Sequence, residues 1–245
     1  MTPDNHACAA ALLRIEGVST GYSDRVIVDN VSITVSSGEI VALVGHNGSG
    51  KSTLLRAIFG IIPIWTGRLF FDSQLVIRPN PIHWRASGVI YVPQGSRVFA
   101  DFSVHDNLRM ACLGGVNDRV KEREGVDRVL QMFPNLAPKL RHSAGSLAGG
   151  ERQMLSLATA LMKPPRLLLL DEPSSGFDEP TTEAVFTALR ALADSERVSI
   201  LVVEQRVRRV VSLSDRVYVL RNGRVAFSGD SKELSDETAL ARIYI

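Results

Sequence analysis

The stretch Gly45-His46-Asn47-Gly48-Ser49-Gly50-Lys51-Ser52 decides the fold. Its pattern, G-x-x-x-x-G-K-[ST], is that of a phosphate-binding loop. The apolar run Ile40-Val41-Ala42-Leu43-Val44 before it reads as a strand, and Thr53-Leu54-Leu55-Arg56-Ala57-Ile58-Phe59 after it as a helix. That strand–loop–helix setting is the one the motif requires. Glycine adopts the needed dihedrals cheaply, so successive backbone N–H groups can converge on phosphate oxygens. The following helix turns its positive dipole end toward the same anion. Lys51 adds a full charge near the β- and γ-phosphates, and Ser52 offers a hydroxyl to Mg²⁺.

Bulk properties set the bounds. A chain of 245 residues can bury a large core, as one domain or as one domain with an inserted subdomain. Hydrophobic content of 45% and charged content of 22% are ordinary for a globular protein. A net charge of +2 is too small to make nucleic acid or an anionic membrane the main partner. The basic stretches Arg206-Val207-Arg208-Arg209 and Arg119 to Arg128 read as solvated helix faces. Cys8 and Cys112 match no metal or redox spacing and read as reduced thiols. The five histidines, His6, His46, His83, His105 and His142, form no ligand cluster, and His46 reads as lining the surface of the phosphate loop. No stretch free of Lys, Arg, Asp and Glu exceeds 11 residues, so none spans a bilayer on its own. Met1 to Leu13 lacks a basic n-region and is a poor signal peptide. Residues 1–11 read as a short disordered extension.

Along the chain, Leu12 to Val18, Val26 to Val28 and Val31 to Val35 read as strands of a small antiparallel layer. Tyr22, after Gly21, is placed in a turn. Arg68 to Phe71 and Gln74 to Ile77 read as another short β pair, and Gly88 to Gln94 as a buried strand ending at Pro93. Val104 to Leu113, Asp118 to Phe133 and Gly150 to Met162 carry helical spacing, so residues 95–160 read as a mainly helical insertion. Alternation then returns, with strands at Arg166 to Leu170 and Val198 to Val203 and helices at Glu179 to Ala193 and Arg206 to Leu213. Two strands bracket an Asn222-Gly223 hairpin turn. Short, continuously apolar strands alternating with helices predict an α/β fold with a mainly parallel central sheet.

Nucleoside triphosphate hydrolysis also needs an acidic group at the end of a neighbouring strand to organise Mg²⁺. Leu167-Leu168-Leu169-Leu170-Asp171-Glu172 supplies one. Asp171 ends an apolar strand, where a carboxylate is costly unless it faces a cation. Glu172 beside it is a candidate general base for the attacking water.

With these two motifs and Leu147-Ala148-Gly149-Gly150-Glu151-Arg152-Gln153, the chain resembles the ATP-binding cassette (ABC) ATPases over nearly its whole length. The resemblance implies a P-loop ATPase core, an N-terminal antiparallel β subdomain and an inserted helical subdomain, together spanning 12–245. It implies ATP and Mg²⁺ as ligands. ATP would lie on Gly45 to Thr53, and Mg²⁺ would be held through Ser52, Gln94 and Asp171. Ala148, Gly149 and Gly150 stand at the signature loop, which in the family caps the γ-phosphate of ATP held by the other subunit. Gln94 stands at the Q-loop glutamine, Asp178 at the acidic position of the D-loop, and Tyr22 where the family places an aromatic that stacks on adenine. Lys51, Glu172 and Gln205 would be the catalytic set.

Two positions depart from the family pattern. Ala148 replaces a serine, losing a hydroxyl whose charge-assisted bond to the γ-phosphate is worth about 1.5–3 kcal/mol. Gln205 replaces a histidine; it can donate one hydrogen bond but cannot become cationic. In a head-to-tail dimer, Gln205 serves the ATP on its own chain and Ala148 the ATP on the partner. Glu204-Gln205, Tyr91 to Phe99 and Ser103 to Leu108 resemble one of the two ATP-binding subunits of branched-chain amino-acid and urea or amide importers. That likeness implies separate transmembrane permease subunits, a second ATP-binding subunit in a heterodimer, an extracytoplasmic solute-binding protein and no nucleic acid. It also implies a peripheral position on the cytoplasmic face of the membrane. The alternatives are a regulatory nucleotide-binding module with little hydrolysis and an ABC ATPase outside transport.

Overall fold

The computed structural model describes residues 11–112 and 119–234. Residues 1–10 of the expected extension therefore lie outside the described residues, as do Leu113, Asp118 and residues 235–245. Ala11, expected in the extension, lies in a strand.

Strands β1 (Ala11–Tyr22) and β2 (Arg25–Ser36) pair antiparallel. Tyr22 closes β1 rather than lying in a turn, because it pairs with Arg25 across the hairpin. The two short strands expected between Val26 and Val35 are one strand, carried through a kink at Asn30, whose φ is +52° and whose N–H bonds Ser19 Oγ at 2.9 Å. Next come β3 (Ile40–Val44), α1 (Lys51–Phe59), β4 (Thr66–Phe71) and β5 (Gln74–Leu75). A helix that the sequence reading missed follows, α2 (Pro81–Ala86). Asn80 caps it by accepting the Ile82 N–H at 2.8 Å, and Pro81 occupies the first turn, where a missing N–H costs nothing.

Strand β6 (Val89–Val92) leads into the helical layer of α3 (Val104–Met110), α4 (Arg119–Met132) and α5 (Gly149–Ala160). The chain then returns to the sheet through β7 (Leu167–Asp171), α6 (Glu179–Glu196), β8 (Ser199–Val203), α7 (Val207–Leu213), β9 (Arg216–Arg221) and β10 (Arg224–Asp230).

There are two sheets. The first has the order β2-β1-β4-β5 and is antiparallel. The second has the order β10-β9-β3-β8-β7-β6 and is parallel except for the β9–β10 hairpin. The parallel strands are apolar throughout because both faces of this sheet are covered. Ile40, Ala42, Leu168 and Leu170 face the side of the helical layer, while Val41, Leu43, Leu167 and Leu169 face α1 and the antiparallel layer. Register places the ends of β3, β7 and β8 side by side, with Asp171 paired to Val203. Loops that hold candidate site residues leave those three ends.

Helix α2 anchors to α1 through Trp84, which is buried and donates its indole N–H to Ile58 O at 2.8 Å. Its ring meets Phe71 edge-on, with centroids 5.2 Å apart. Trp84→Ala should lower the unfolding free energy by about 3–5 kcal/mol in urea titration, the cost of a large cavity. A loss below about 1 kcal/mol would mean that this contact does not anchor the helix.

Candidate active site

The phosphate loop leaves β3 at Gly45 and enters α1 through Gly50, whose left-handed φ of +104° turns the chain into the helix. Gly45 leaves no room for a side chain: a Cβ there would lie 2.2 Å from Leu220 O. The loop is braced from β9–β10, whose Gly223 N–H donates to Ser49 O at 3.1 Å. The N–H groups of Lys51, Ser52 and Thr53 open the helix and point out of its end.

Lys51 is buried and donates to Gly45 O at 2.7 Å and His46 O at 2.9 Å. Burial lowers its pKa, while the charges of Glu172 and Asp171 oppose that shift. His46 and Asn47 are exposed at the loop tip, and they line a cleft of about 400 Å³ with Gly45 and Gln205.

Asp171 is 1% exposed at the end of β7. Its Oδ1 accepts the Ser52 hydroxyl at 2.7 Å, and its Oδ2 accepts the Tyr91 hydroxyl at 3.1 Å. Glu172 follows with φ +50°, a left-handed conformation rare outside glycine. That turn presents its carboxylate to two amides. Gln94 Nε2 donates to Oε2 at 2.6 Å, and Gln205 Nε2 donates to Oε1. Gln94 comes from the loop after β6 and Gln205 from the loop after β8.

The loops are themselves held. Glu204 is buried and accepts the Ser174 N–H at 2.9 Å and the Gln205 N–H at 3.2 Å. Burial pushes its carboxyl above the usual range, and the backbone donors pull it back. Tyr22 is half-exposed, and its hydroxyl accepts a 2.9 Å bond from Arg56.

The structure thus gathers Lys51, Ser52, Gln94, Asp171, Glu172 and Gln205 at one end of the sheet. It does not gather the signature residues with them. Ala148, Gly149 and Gly150 open α5 in the helical layer, where Gly150 approaches Gly176 O and the Phe177 ring. The Ala148 N–H donates to Glu151 Oε2 at 3.1 Å. The alanine methyl cannot make the return bond that serine makes in a capping box. Asp178 is exposed, and its carboxylate caps α6 by accepting the Thr181 N–H at 3.0 Å.

Sequence reasoning gave no role to Arg56, Tyr91 or Glu204. Glu204 carried a readable signal, an acid closing an apolar strand as Asp171 does. Arg56 and Tyr91 stand 35 positions apart and carried none.

A phosphate cradle joined to a buried carboxylate and a flanked glutamate defines a P-loop nucleoside triphosphatase. Comparison with known proteins narrows the class. The sequence pattern of the ABC transporter family matches residues 28–175, and the chain belongs to that family. Over 233 residues it is 38% identical to a protein of Archaeoglobus fulgidus described as a probable branched-chain amino acid transport ATP-binding protein, LivF, covering 95% of this chain and 98% of the relative. It is 34% identical over 238 residues to LptB of Escherichia coli strain K12, a lipopolysaccharide export system ATP-binding protein, covering 96% and 97%. Among solved structures it resembles in fold a nucleotide-free ATP-binding cassette from an ABC transporter, with TM-score 0.83, 24% identity and coverage of 96% and 99%. The chain is an ATPase subunit of a class that dimerises and works with transmembrane permeases. No helix among the described residues is long and apolar enough to cross a membrane.

Ser49 adds a test of the cradle. Its Oγ is buried and has no hydrogen-bond partner among the described residues. An unmatched hydroxyl inside a phosphate loop fits a bound phosphate oxygen. Ser49→Ala should leave nucleotide-free stability within about 1 kcal/mol, because it removes an unsatisfied group. It should weaken ATP binding by about tenfold in calorimetry. Unchanged ATP affinity would show that the hydroxyl does not face the ligand.

Proposed function

We propose that this protein hydrolyses ATP at Gly45 to Thr53 to energise import of branched-chain amino acids or related small amides through separate permeases. The observation that carries hydrolysis is the Glu172 carboxylate fixed between Gln94 and Gln205, next to the Ser52–Asp171 pair. The importer class rests on the likeness to LivF and on the Tyr91 to Phe99 and Glu204-Gln205 stretches.

Lys51 neutralises charge on the β- and γ-phosphates, and the N–H groups of the loop fix their oxygens. Ser52, Asp171 and Gln94 are hard oxygen donors suited to Mg²⁺, which takes few protein ligands and keeps phosphate and water oxygens. That ion would supply charge neutralisation at the phosphates when bound. Glu172 orients a water and takes its proton as the water oxygen bonds to the γ-phosphorus. The bond from that phosphorus to the bridging oxygen breaks, leaving ADP and phosphate. Gln205, neutral at all working pH, contributes one donated hydrogen bond. Tyr22, exposed beside α1, offers a face for adenine.

Ala148, Gly149 and Gly150 cap the ATP of a second cassette, and Asp178 stands in the loop that meets that subunit. A homodimer combines the Ala148 and Gln205 losses at both sites. A heterodimer with a partner carrying serine and histidine leaves one loss at each. We therefore assign a heterodimer, peripheral on the cytoplasmic face of the membrane, supplied by an extracytoplasmic solute-binding protein.

Vesicles reconstituted with the two permeases, this chain, a second cassette and the binding protein should take up labelled leucine with ATP. Uptake should fall at least about tenfold when the second cassette is omitted. Full uptake from this subunit and the permeases alone would contradict the heterodimer. Activity only in lipid export would contradict the importer.

A further inference from the structure

Asp171 has two oxygens, and only one of them meets the phosphate loop. The other is held by Tyr91 on the neighbouring strand β6. That contact has a forced polarity: an ionised carboxylate only accepts, so the single phenol proton goes to Asp171 Oδ2.

Burial, and then the Asp171 charge, hold the Tyr91 hydroxyl well above its ordinary pKa, so it remains a donor at working pH. Its ring packs against Phe59 with centroids 5.4 Å apart, which fixes where the hydroxyl can reach.

We propose that Tyr91 is a positioning residue that orients the Asp171 carboxylate toward Ser52. It rests on the reading of Asp171 as the carboxylate that organises Mg²⁺. Tyr91 fixes Oδ2, which leaves Oδ1 in the plane that meets the Ser52 hydroxyl at 2.7 Å. Without the phenol proton, the carboxylate is free to rotate about its terminal bond, which has a broad torsional preference. Metal recruitment then weakens while the phosphate cradle is untouched.

The test is a Mg²⁺ titration of fluorescent mant-ATP binding to the full chain, read as the Mg²⁺ midpoint rather than as turnover. Tyr91→Phe keeps the ring and removes the proton. It should raise the midpoint on the order of tenfold and leave Mg²⁺-free mant-ATP affinity unchanged. Asp171→Asn separates the two levels. A wild-type midpoint in Asp171→Asn would overturn the Mg²⁺ reading itself. Loss of Mg²⁺ dependence there with a wild-type midpoint in Tyr91→Phe would overturn the positioning role alone.

Discussion

The hydrogen bond from Ser52 to Asp171 is the contact on which the site depends. It joins the first turn of α1 to the end of β7 across 119 positions of sequence, at 2.7 Å. A carboxylate this deeply buried carries a desolvation cost of several kcal/mol. Ser52, Tyr91 and the charge of Lys51 offset it, and Ser52 and Lys51 belong to the phosphate loop itself. Two of the groups that keep the carboxylate tolerable are therefore those proposed to meet the ligand. Removing any of them exposes both the fold and the chemistry to the same unpaired charge.

The architecture follows from placing those groups. The parallel sheet ends β3, β7 and β8 at one level, so the phosphate loop, Asp171 and Gln205 emerge as neighbours. The antiparallel layer contributes Tyr22 from the other side of α1. The β9–β10 hairpin fixes the loop through the bond between Gly223 and Ser49. What the sheet end does not bring near is the signature turn at Ala148 to Gly150, built into the helical layer against Gly176 and Phe177. That separation supports the proposed half-site, in which the cap over the phosphates is supplied by a second cassette.

The buried strands and the phosphate loop were legible because covering a parallel sheet on both faces leaves unbroken apolar runs. Asp171 was legible for the same reason, as an acid where the run stops. Glu204 has the same signature and received no role, although it braces the loops of Ser174 and Gln205. Helix α2 was also readable, since Asn80-Pro81 is a capping sequence, but its six residues give too short a period to register. The pairings of Glu172 with Gln94 and Gln205 were not readable. They join residues 78 and 33 positions apart, and only the strand order makes them neighbours. Tyr91 meeting Asp171, 80 positions away, is hidden in the same way.

Glu172 concentrates the account. Its backbone sits at φ +50°, a conformation that is retained only where the surroundings enforce it and that is common at functional sites. The two amides on its oxygens keep the carboxylate where a water could be drawn between it and a γ-phosphate. The most direct measurement is ATP turnover by Glu172→Gln beside the wild type, with ATP affinity measured on the same preparations. The account predicts turnover lowered by at least about 100-fold with ATP affinity unchanged, since the loss falls on the base and not on the cradle. Equal turnover in the two proteins would contradict it.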